Sequence, residues 1–157
     1  GRVAAGAERA GRSVSDLTLI SRVDGWVDDD PVRARDALRP MIARLLASSH
    51  PDRSFVDAVG VEIPDALAAV IQERNRDRAH AAAHLVSDEL VDAFSWAGTG
   101  PDVLERVAAI AALGVSHVTF VPHPPAGETV EDGIRAFARG VIDPLRRGGG
   151  VAGLYQT

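Results

Sequence analysis

The sequence predicts an α/β fold made of parallel βα units, and only part of a (β/α)8 barrel. Two segments rich in apolar and β-branched residues, Leu17–Val27 and Val115–Val121, have the length and composition of strands. Helical patterns surround them, and the repeated order of helix, glycine, strand, loop and helix is typical of parallel units. A complete barrel needs eight strands and about 250 residues, whereas this chain has 157. Because two parallel strands leave unpaired edges, we expect other residues to complete the barrel, or the chain to associate.

Capping residues place the helices around these strands. Asp30 followed by Pro31 is a typical N-cap and first helical residue. Thr129 caps the last helix, and either Thr99 or Gly100 caps the helix before the second strand. The predicted order is α-β-α-α-α-α-β-α, with helices over residues 1–11, 30–48, 64–83, 88–94, 102–113 and 129–145. The first helix begins without a capping residue, as if it continued an earlier part of a longer polypeptide.

Composition and charge exclude several classes of function. Of the residues, 46% are hydrophobic and 25% are charged, which is typical of a folded domain. The net charge is -5 and the 17 basic residues, all arginine, are scattered, so no nucleic-acid partner is expected. The absence of cysteine excludes disulfides, thiolate catalysis and cysteine-bound zinc. No apolar run reaches the roughly 18 residues of a membrane span, and the first residues have no signal-peptide core. We therefore expect a cytoplasmic protein without a membrane partner.

Four residues near the strand ends are candidates for a binding or catalytic site. His123 follows the second strand, where it could hydrogen-bond a substrate or move a proton; the alternative is an exposed loop histidine between prolines. Trp26 could stack on a ring or form a pocket wall, or it could be a core or rim residue. Asp24 and Arg22 interrupt the apolar strand. Each of them either faces the barrel interior, where Arg22 would need an anionic partner, or points outward.

Three further patterns suit a ligand but have simpler explanations. The turn Gly98–Pro101, which contains Thr99, places backbone N–H groups at a helix N-terminus, where an anion can bind, although capping is the commoner role. His80 and His84 have the i, i+4 spacing of a helical metal site, but the glutamate of a zinc protease and a third ligand are missing. The acidic run Asp28–Asp30 is explained by helix capping and the helix dipole. We therefore predict no metal.

Four segments, taken in order, resemble one protein family. They are GAERAGRSVSDLTLI at residues 6–20, VDDDPVRARDALRPMIARLL at 27–46, LVSDELVDAFSWAGTGPDVLERVAAIAALGVSHVTFVPHP at 85–124 and GETVEDGIRAFARGVIDPLR at 127–146. In this order and spacing they resemble the C-terminal part of luciferase-like monooxygenases, and most closely the deazaflavin-dependent branch that is similar to methylenetetrahydromethanopterin reductases. One departure is the run Gly98-Thr99-Gly100-Pro101, where the family has a pattern similar to Gly-Thr-Pro.

The resemblance implies a TIM barrel, (β/α)8, that binds the deazaflavin F-420 (F420), or alternatively FMN, at the carboxyl ends of its strands. It also implies hydride transfer between this cofactor and a small organic substrate. Residues 17–27 and 115–121 would be the last two strands, residues 1–147 the C-terminal part of the barrel domain, and residues 148–157 a flexible glycine-rich tail. His123 is then the candidate catalytic residue, and Trp26, Asp24, Arg22 and Thr99 are candidates for cofactor or substrate binding.

The first six strands of the family, which carry most of its cofactor contacts, have no counterpart in this sequence. The resemblance therefore implies that the isolated chain is inactive, and that it works as a homo-oligomer or together with the missing barrel half. The alternative is a catalytically inactive fragment that acts only by association with another chain.

Overall fold

The computed structural model describes residues 2–147. The helices are α1 (Arg2–Arg9), α2 (Pro31–Ser49), α3 (Ser54–Asp57), α4 (Asp65–Gln72), α5 (Arg76–Ala81), α6 (Asp88–Phe94), α7 (Gly100–Ala112), α8 (Val130–Phe137) and α9 (Asp143–Arg147). Short 3-10 turns cover Val14–Asp16 and Ala83–Leu85, and a π-helical turn covers Ala138–Ile142. The strands are β1 (Ile20–Val27), β2 (Trp96–Gly98) and β3 (His117–Pro122).

The three strands form one parallel sheet in the order β2-β1-β3. Val23 of β1 lies opposite Phe120 of β3, and Trp26 lies opposite Ala97 of β2. The predicted parallel strands of a helix-rich α/β fold are thus confirmed, and the two long strands are neighbours. Within residues 2–147 the sheet is open, because β2 and β3 each pair on one side only. In a barrel wall, strands that are consecutive along the chain are neighbours. Here β2 and β3 are consecutive but are not neighbours, because β1 lies between them.

One strand is missing from the sequence prediction, and another begins later than predicted. The residues of β2, Trp96–Gly98, are too few to show alternation, and the strand is stabilised by pairing with the carboxyl end of β1. β1 begins at Ile20 rather than at Leu17. The reason is local: Ser13 and Asp16 form a capping box around a 3-10 turn that ends at Leu17.

Both faces of the sheet are covered near its carboxyl edge, because successive strand residues point to opposite sides. Trp26 packs in a buried cluster with α2 side chains such as Leu38. The next residue, Val27, packs in a second cluster with Val103 of α7. Farther from that edge the face of Trp26 is uncovered, and Ile20 is 64% exposed. The helices therefore enclose the carboxyl half of the sheet and leave part of its other half open.

Side-chain caps begin three of the principal helices as predicted. Asp30 accepts hydrogen bonds from the backbone N–H groups of Val32 and Arg33 at the start of α2. Thr99 and Thr129 each form a capping box with the aspartate three residues farther on, at the starts of α7 and α8. These local signals position the loops that leave the carboxyl edge of the sheet.

The prediction of one helix over residues 64–83 is wrong, because the chain forms α4 and α5 with a break between them. Arg74 in this break has a φ of 52°. The side chain of Asn75 accepts hydrogen bonds from the backbone N–H groups of Asp77 and Arg78. A short polar side chain that caps a new helix in this way competes with continuation of the old one.

The helix predicted over residues 129–145 is present but interrupted. α8 is followed by the π-helical turn Ala138–Ile142 and then by α9. This wider turn contains Gly140, whose backbone contacts Gly100 at the start of α7. The predicted glycine-rich tail, residues 148–157, lies outside the described residues, so the tail and the domain limits stay predictions.

Candidate active site at the carboxyl edge of the sheet

The carboxyl ends of the three strands meet at one edge of the sheet because the strands are parallel. β1 ends at Val27, β2 at Gly98 and β3 at Pro122. The loops that follow all three strands open on the same side. In open α/β sheets this is the side on which ligands bind, so a small-molecule site is expected at this edge.

Asp24 and His123 meet across the β1–β3 pair. Asp24 lies opposite Val121, so His123, two residues farther on, projects from the same face. The His123 Nε2 atom lies 2.7 Å from Asp24 Oδ1. Their side chains are 25% and 17% exposed, respectively. The structure thus brings together two residues that the sequence pattern selected separately, and their contact can hold the imidazole ring in one orientation.

Arg22 extends the row of polar residues on this face of β1. Its Nη2 donates to the same Asp24 Oδ1 atom, at 3.0 Å. The Arg22 side chain is 65% exposed, so it is not the buried cation that the inward alternative would require. An ion pair this exposed contributes about 0–1 kcal/mol to stability. Its local effect is to place a positive charge beside Asp24.

Trp26 forms a wall of this region and not an open stacking surface. It is 1% exposed, and α8 packs directly on it. A Cβ built on Gly133 would lie 2.5 Å from the Cζ3 atom of the indole ring. The indole N–H donates to Asp28 Oδ2 at 3.3 Å. The buried ring therefore has a fixed position beneath α8, and its one polar group is paired.

Thr99 is engaged in capping α7. Its backbone N–H and its hydroxyl both donate to Asp102 Oδ2, at 2.8 and 2.7 Å, and its Oγ1 accepts from the Asp102 N–H at 3.4 Å. The hydrogen bond from the Thr99 side chain is the largest cause that lowers the pKa of Asp102, followed by the bond from its backbone. The Asp102 carboxylate thus lies at the N-terminal turn of α7, where the sequence suggested that an anionic ligand could bind.

An arginine that sequence reasoning missed joins two of the loops at this edge. Arg33, in the first turn of α2, forms ion pairs with Asp28, just after β1, and with Glu128, between β3 and α8. The hydrogen bond to Glu128 is the largest influence that raises the pKa of Arg33. Glu128 is 95 residues away along the chain, so no local sequence pattern could indicate this contact.

A pocket of about 590 Å3 opens between the strand ends and α8. Trp26 and Val27 line it, together with the start of α7 and the contact between Gly100 and Gly140. Its charged lining residues are Asp28, Asp29, Glu128, Asp132, Arg135 and Arg139. The volume lies within the range of about 300–1,000 Å3 that is usual for small-molecule sites. The Asp24–His123 pair is outside this lining, with Asp24 two residues before Trp26 on the same face of β1.

Among residues 2–147 no three histidine, aspartate or glutamate side chains form a group that could hold a metal ion. His80 lies in α5 and His84 in the 3-10 turn that follows, so the continuous helix that would pair them is not formed. Asp30 is occupied as a cap and Asp28 by its bonds to Arg33 and Trp26.

Within residues 2–147, no helix combines the length and apolar character needed to cross a membrane.

The sequence profile of the luciferase-like monooxygenase family matches residues 1–117. The chain belongs to this family, as the resemblance predicted. It is similar in sequence to 5,10-methylenetetrahydromethanopterin reductases. The reductase of Archaeoglobus fulgidus is 30% identical over 146 residues, which cover 90% of this chain and 42% of the reductase. That of Methanolobus tindarius is 28% identical, with the same coverage. The chain thus spans 42% of the length of these curated relatives.

Two solved structures have a similar fold. The coenzyme F420 dependent tetrahydromethanopterin reductase of Methanopyrus kandleri matches with a TM-score of 0.71 and 23% identity, over 89% of this chain and 39% of the reductase. An F420-dependent secondary alcohol dehydrogenase, in complex with an F420-acetone adduct, matches with a TM-score of 0.60 and 17% identity, over 97% of this chain and 37% of the dehydrogenase. The described residues therefore correspond to part of a barrel-like luciferase fold.

Proposed function

We propose that this chain forms part of an F420-dependent oxidoreductase that transfers a hydride between the deazaflavin and a small organic substrate. The observation that carries the proposal is the carboxyl edge of a luciferase-like sheet, where a pocket of about 590 Å3 lies near a histidine–aspartate pair. The relatives and similar structures described above are reductases and a dehydrogenase, and two of them are named as F420-dependent. Since the chain spans 42% of the curated relatives, the activity belongs to a larger assembly that contains it.

The pocket fits the ring of such a cofactor in size. Trp26 and Val27 supply an apolar wall, and Arg135 and Arg139 supply positive charge for an acidic group of the cofactor. Arg135 is paired with Glu131 within α8, whereas Arg139 has no ion pair among residues 2–147. Arg139 is therefore the better placed of the two for an anion. F420 is preferred over FMN because the similar structures are named as F420-dependent, and FMN is the alternative that a titration compares.

His123 is the proposed catalytic residue. When bound, the cofactor supplies or accepts the hydride, so the protein has to handle the accompanying proton and to orient the reactants. A histidine titrates near neutral pH and can exchange that proton with an oxygen or nitrogen of the substrate. Trp26, Arg22 and Thr99 are proposed to shape the binding region, through the pocket wall, the charge beside Asp24 and the start of α7.

The open sheet makes association the proposed working state. Within residues 2–147, β2 and β3 each keep one unpaired edge, and Ile20 on β1 is exposed. Such edges pair with other chains unless they are covered. We propose that further barrel strands cover them, from the same polypeptide, from a second copy or from another chain.

A chimera tests this function. In it, the present chain replaces the 146-residue segment that it matches in the Archaeoglobus fulgidus reductase, and F420 and FMN are titrated by fluorescence. We expect tighter binding of F420 and measurable oxidation of reduced F420 by methylenetetrahydromethanopterin. His123→Gln should lower the turnover number by about 100-fold or more, in the range for loss of a general acid or base, and leave F420 binding intact. The isolated 157-residue chain should be inactive in the same assay.

The matched control is His117→Gln, which should leave turnover unchanged. His117 lies at the amino end of β3, the strand that His123 follows. A folded chimera that binds neither cofactor would contradict the proposal and favour the inactive-fragment alternative. Equal turnover of the His123 and His117 variants would remove His123 from the mechanism.

A further inference from the structure

We propose that Asp24 is a positioning residue for His123. Its carboxylate accepts the hydrogen bond of Nε2–H and leaves Nδ1 as the ring nitrogen that exchanges a proton with the substrate. This inference rests on the proposed function and deepens it. It also gives Asp24 a role different from the cofactor or substrate binding for which the family resemblance made it a candidate.

The chemistry of the two side chains determines which ring nitrogen of His123 carries the proton. An ionised carboxylate can only accept hydrogen bonds, and a neutral imidazole has one nitrogen that donates and one that accepts. Because His123 Nε2 lies 2.7 Å from Asp24 Oδ1, Nε2 must be the protonated nitrogen. The Nδ1 atom has no hydrogen-bond partner among residues 2–147. It is therefore the acceptor in the neutral ring, and the donor of the second proton when the ring is charged.

The backbone holds both partners in place. Asp24 lies inside β1, between neighbours that pair with β3. The backbone N–H of His123 donates to the carbonyl oxygen of Gly25 at 3.0 Å, which extends the strand pairing by one residue. Pro122 and Pro124 restrict φ on either side of the histidine. Only side-chain rotations can separate the pair, so it is preorganised in the way that catalytic histidines require.

The row of residues on β1 supplies a control within the same site. Arg22 donates to the same Asp24 oxygen that faces His123, at 3.0 Å, and among residues 2–147 its hydrogen bond goes to this carboxylate and not to the ring. Arg22→Gln therefore keeps the carboxylate and removes the neighbouring charge. Asp24→Asn keeps the size of the side chain and removes the carboxylate.

Nuclear magnetic resonance of the 157-residue chain labelled with 15N-histidine shows directly which ring nitrogen of His123 carries the proton. Of its five histidines, His123 should show a slowly exchanging ring N–H signal, far downfield, that correlates with Nε2; its loss in His123→Gln identifies it. Asp24→Asn should abolish this signal or move it among those of the other histidines, and Arg22→Gln should retain it. A folded wild type with no such signal, a signal on Nδ1, or a signal unchanged in Asp24→Asn overturns the proposal.

Alkylation gives a second readout that does not require the assembled enzyme. Iodoacetamide reacts with the unprotonated ring nitrogen, and peptide analysis distinguishes the two products. We expect His123 to be modified mainly at Nδ1 in the wild type and the ratio to shift several-fold toward Nε2 in Asp24→Asn. The same ratio in both proteins overturns the proposal. In the chimera, Asp24→Asn should lower turnover at unchanged F420 affinity, and Arg22→Gln should have a smaller effect. A chimera without activity would count against the proposed function alone, because the two ring measurements are made without cofactor.

Discussion

Gly100 and Gly140 touch through their backbones: a Cβ built on Gly100 would lie 2.8 Å from the carbonyl oxygen of Gly140 and 2.9 Å from its Cα. This contact joins the first turn of α7 to the π-helical turn after α8. Both residues line the pocket at the carboxyl edge. The closeness of the two segments, and with it one side of the pocket, thus depends on the absence of a side chain.

Gly100→Ala should therefore destabilise the fold. The added Cβ meets backbone atoms, which cannot rotate away as the end of a side chain can, so we expect a loss of about 1–3 kcal/mol in the free energy of unfolding. Urea unfolding followed by circular dichroism measures it. Gly6→Ala is the matched control, because a Cβ at Gly6 in α1 finds its nearest neighbour at 3.9 Å. Equal stability of the two variants would show that the contact does not constrain α7.

Gly133→Ala tests the packing of α8 on Trp26. The new Cβ would lie 2.5 Å from the indole Cζ3 atom and 2.6 Å from the Cβ of Pro122, so α8 or the ring must move. We expect a net destabilisation of about 1–2 kcal/mol, since the overpacking cost exceeds the gain of about 1 kcal/mol from alanine in a helix.

In Gly133→Ala the environment of Trp26 should change together with the stability of the protein. Trp26 is almost fully buried, so displacement of α8 would hydrate the ring and shift its fluorescence emission to longer wavelength. Trp96→Phe removes the chain's other tryptophan and makes the signal specific. If both the emission and the stability are unchanged, α8 does not pack on Trp26 as closely as the structure shows.

Thr99→Ala should weaken α7 in a manner that depends on pH. In the folded chain the bonds from Thr99 lower the pKa of Asp102. The carboxylate form is therefore favoured by folding, and the stabilisation is complete above the ordinary carboxyl pKa. It is lost as the pH falls through the lowered value of the folded chain. At neutral pH we expect a loss of about 0.5–2 kcal/mol for removal of the cap, and in strong acid the difference from wild type should shrink.

Urea unfolding of both proteins across the acid range measures this dependence. Thr99→Ser keeps the hydroxyl and should remain close to wild type at every pH. A loss in Thr99→Ala that stays constant down to the acid end of the range would show that the bonds to Asp102 are not its cause.

The sequence allowed much of the fold to be predicted where the signal is local. Asp30 and Thr129 mark helix starts because a short oxygen-bearing side chain caps the N–H groups next to it. The break at Arg74 was missed because residues 72–78 contain no glycine or proline to mark it, although Asn75 carries the capping chemistry that begins α5. β2 was missed because three residues are too few for a pattern, and its position depends on pairing with β1.

The candidate site was predictable only residue by residue. Asp24 attracts notice as a polar residue inside an apolar strand, and His123 as a histidine just after one. Their contact depends on the register of β1 against β3, which the sequence pattern does not contain. Arg33 was overlooked because it resembles any other surface arginine of α2. Its contact with Glu128 arises only after the β3–α8 loop folds back toward α2.

The uncovered part of the sheet gives the last prediction. Ile20 is 64% exposed on a strand, and within residues 2–147 the neighbouring strand β3 keeps a free edge. Exposed apolar strand residues beside free edges favour pairing with another chain. The 157-residue chain should therefore associate as its concentration rises, and Ile20→Lys should shift this association to higher concentration, because burying the lysine charge is unfavourable. Sedimentation velocity over a range of concentrations measures both effects. Val59→Lys, a change at a 47% exposed valine outside the sheet, is the control and should associate like the wild type. A wild-type chain that sediments as a monomer at all concentrations would mean that the open sheet needs no partner.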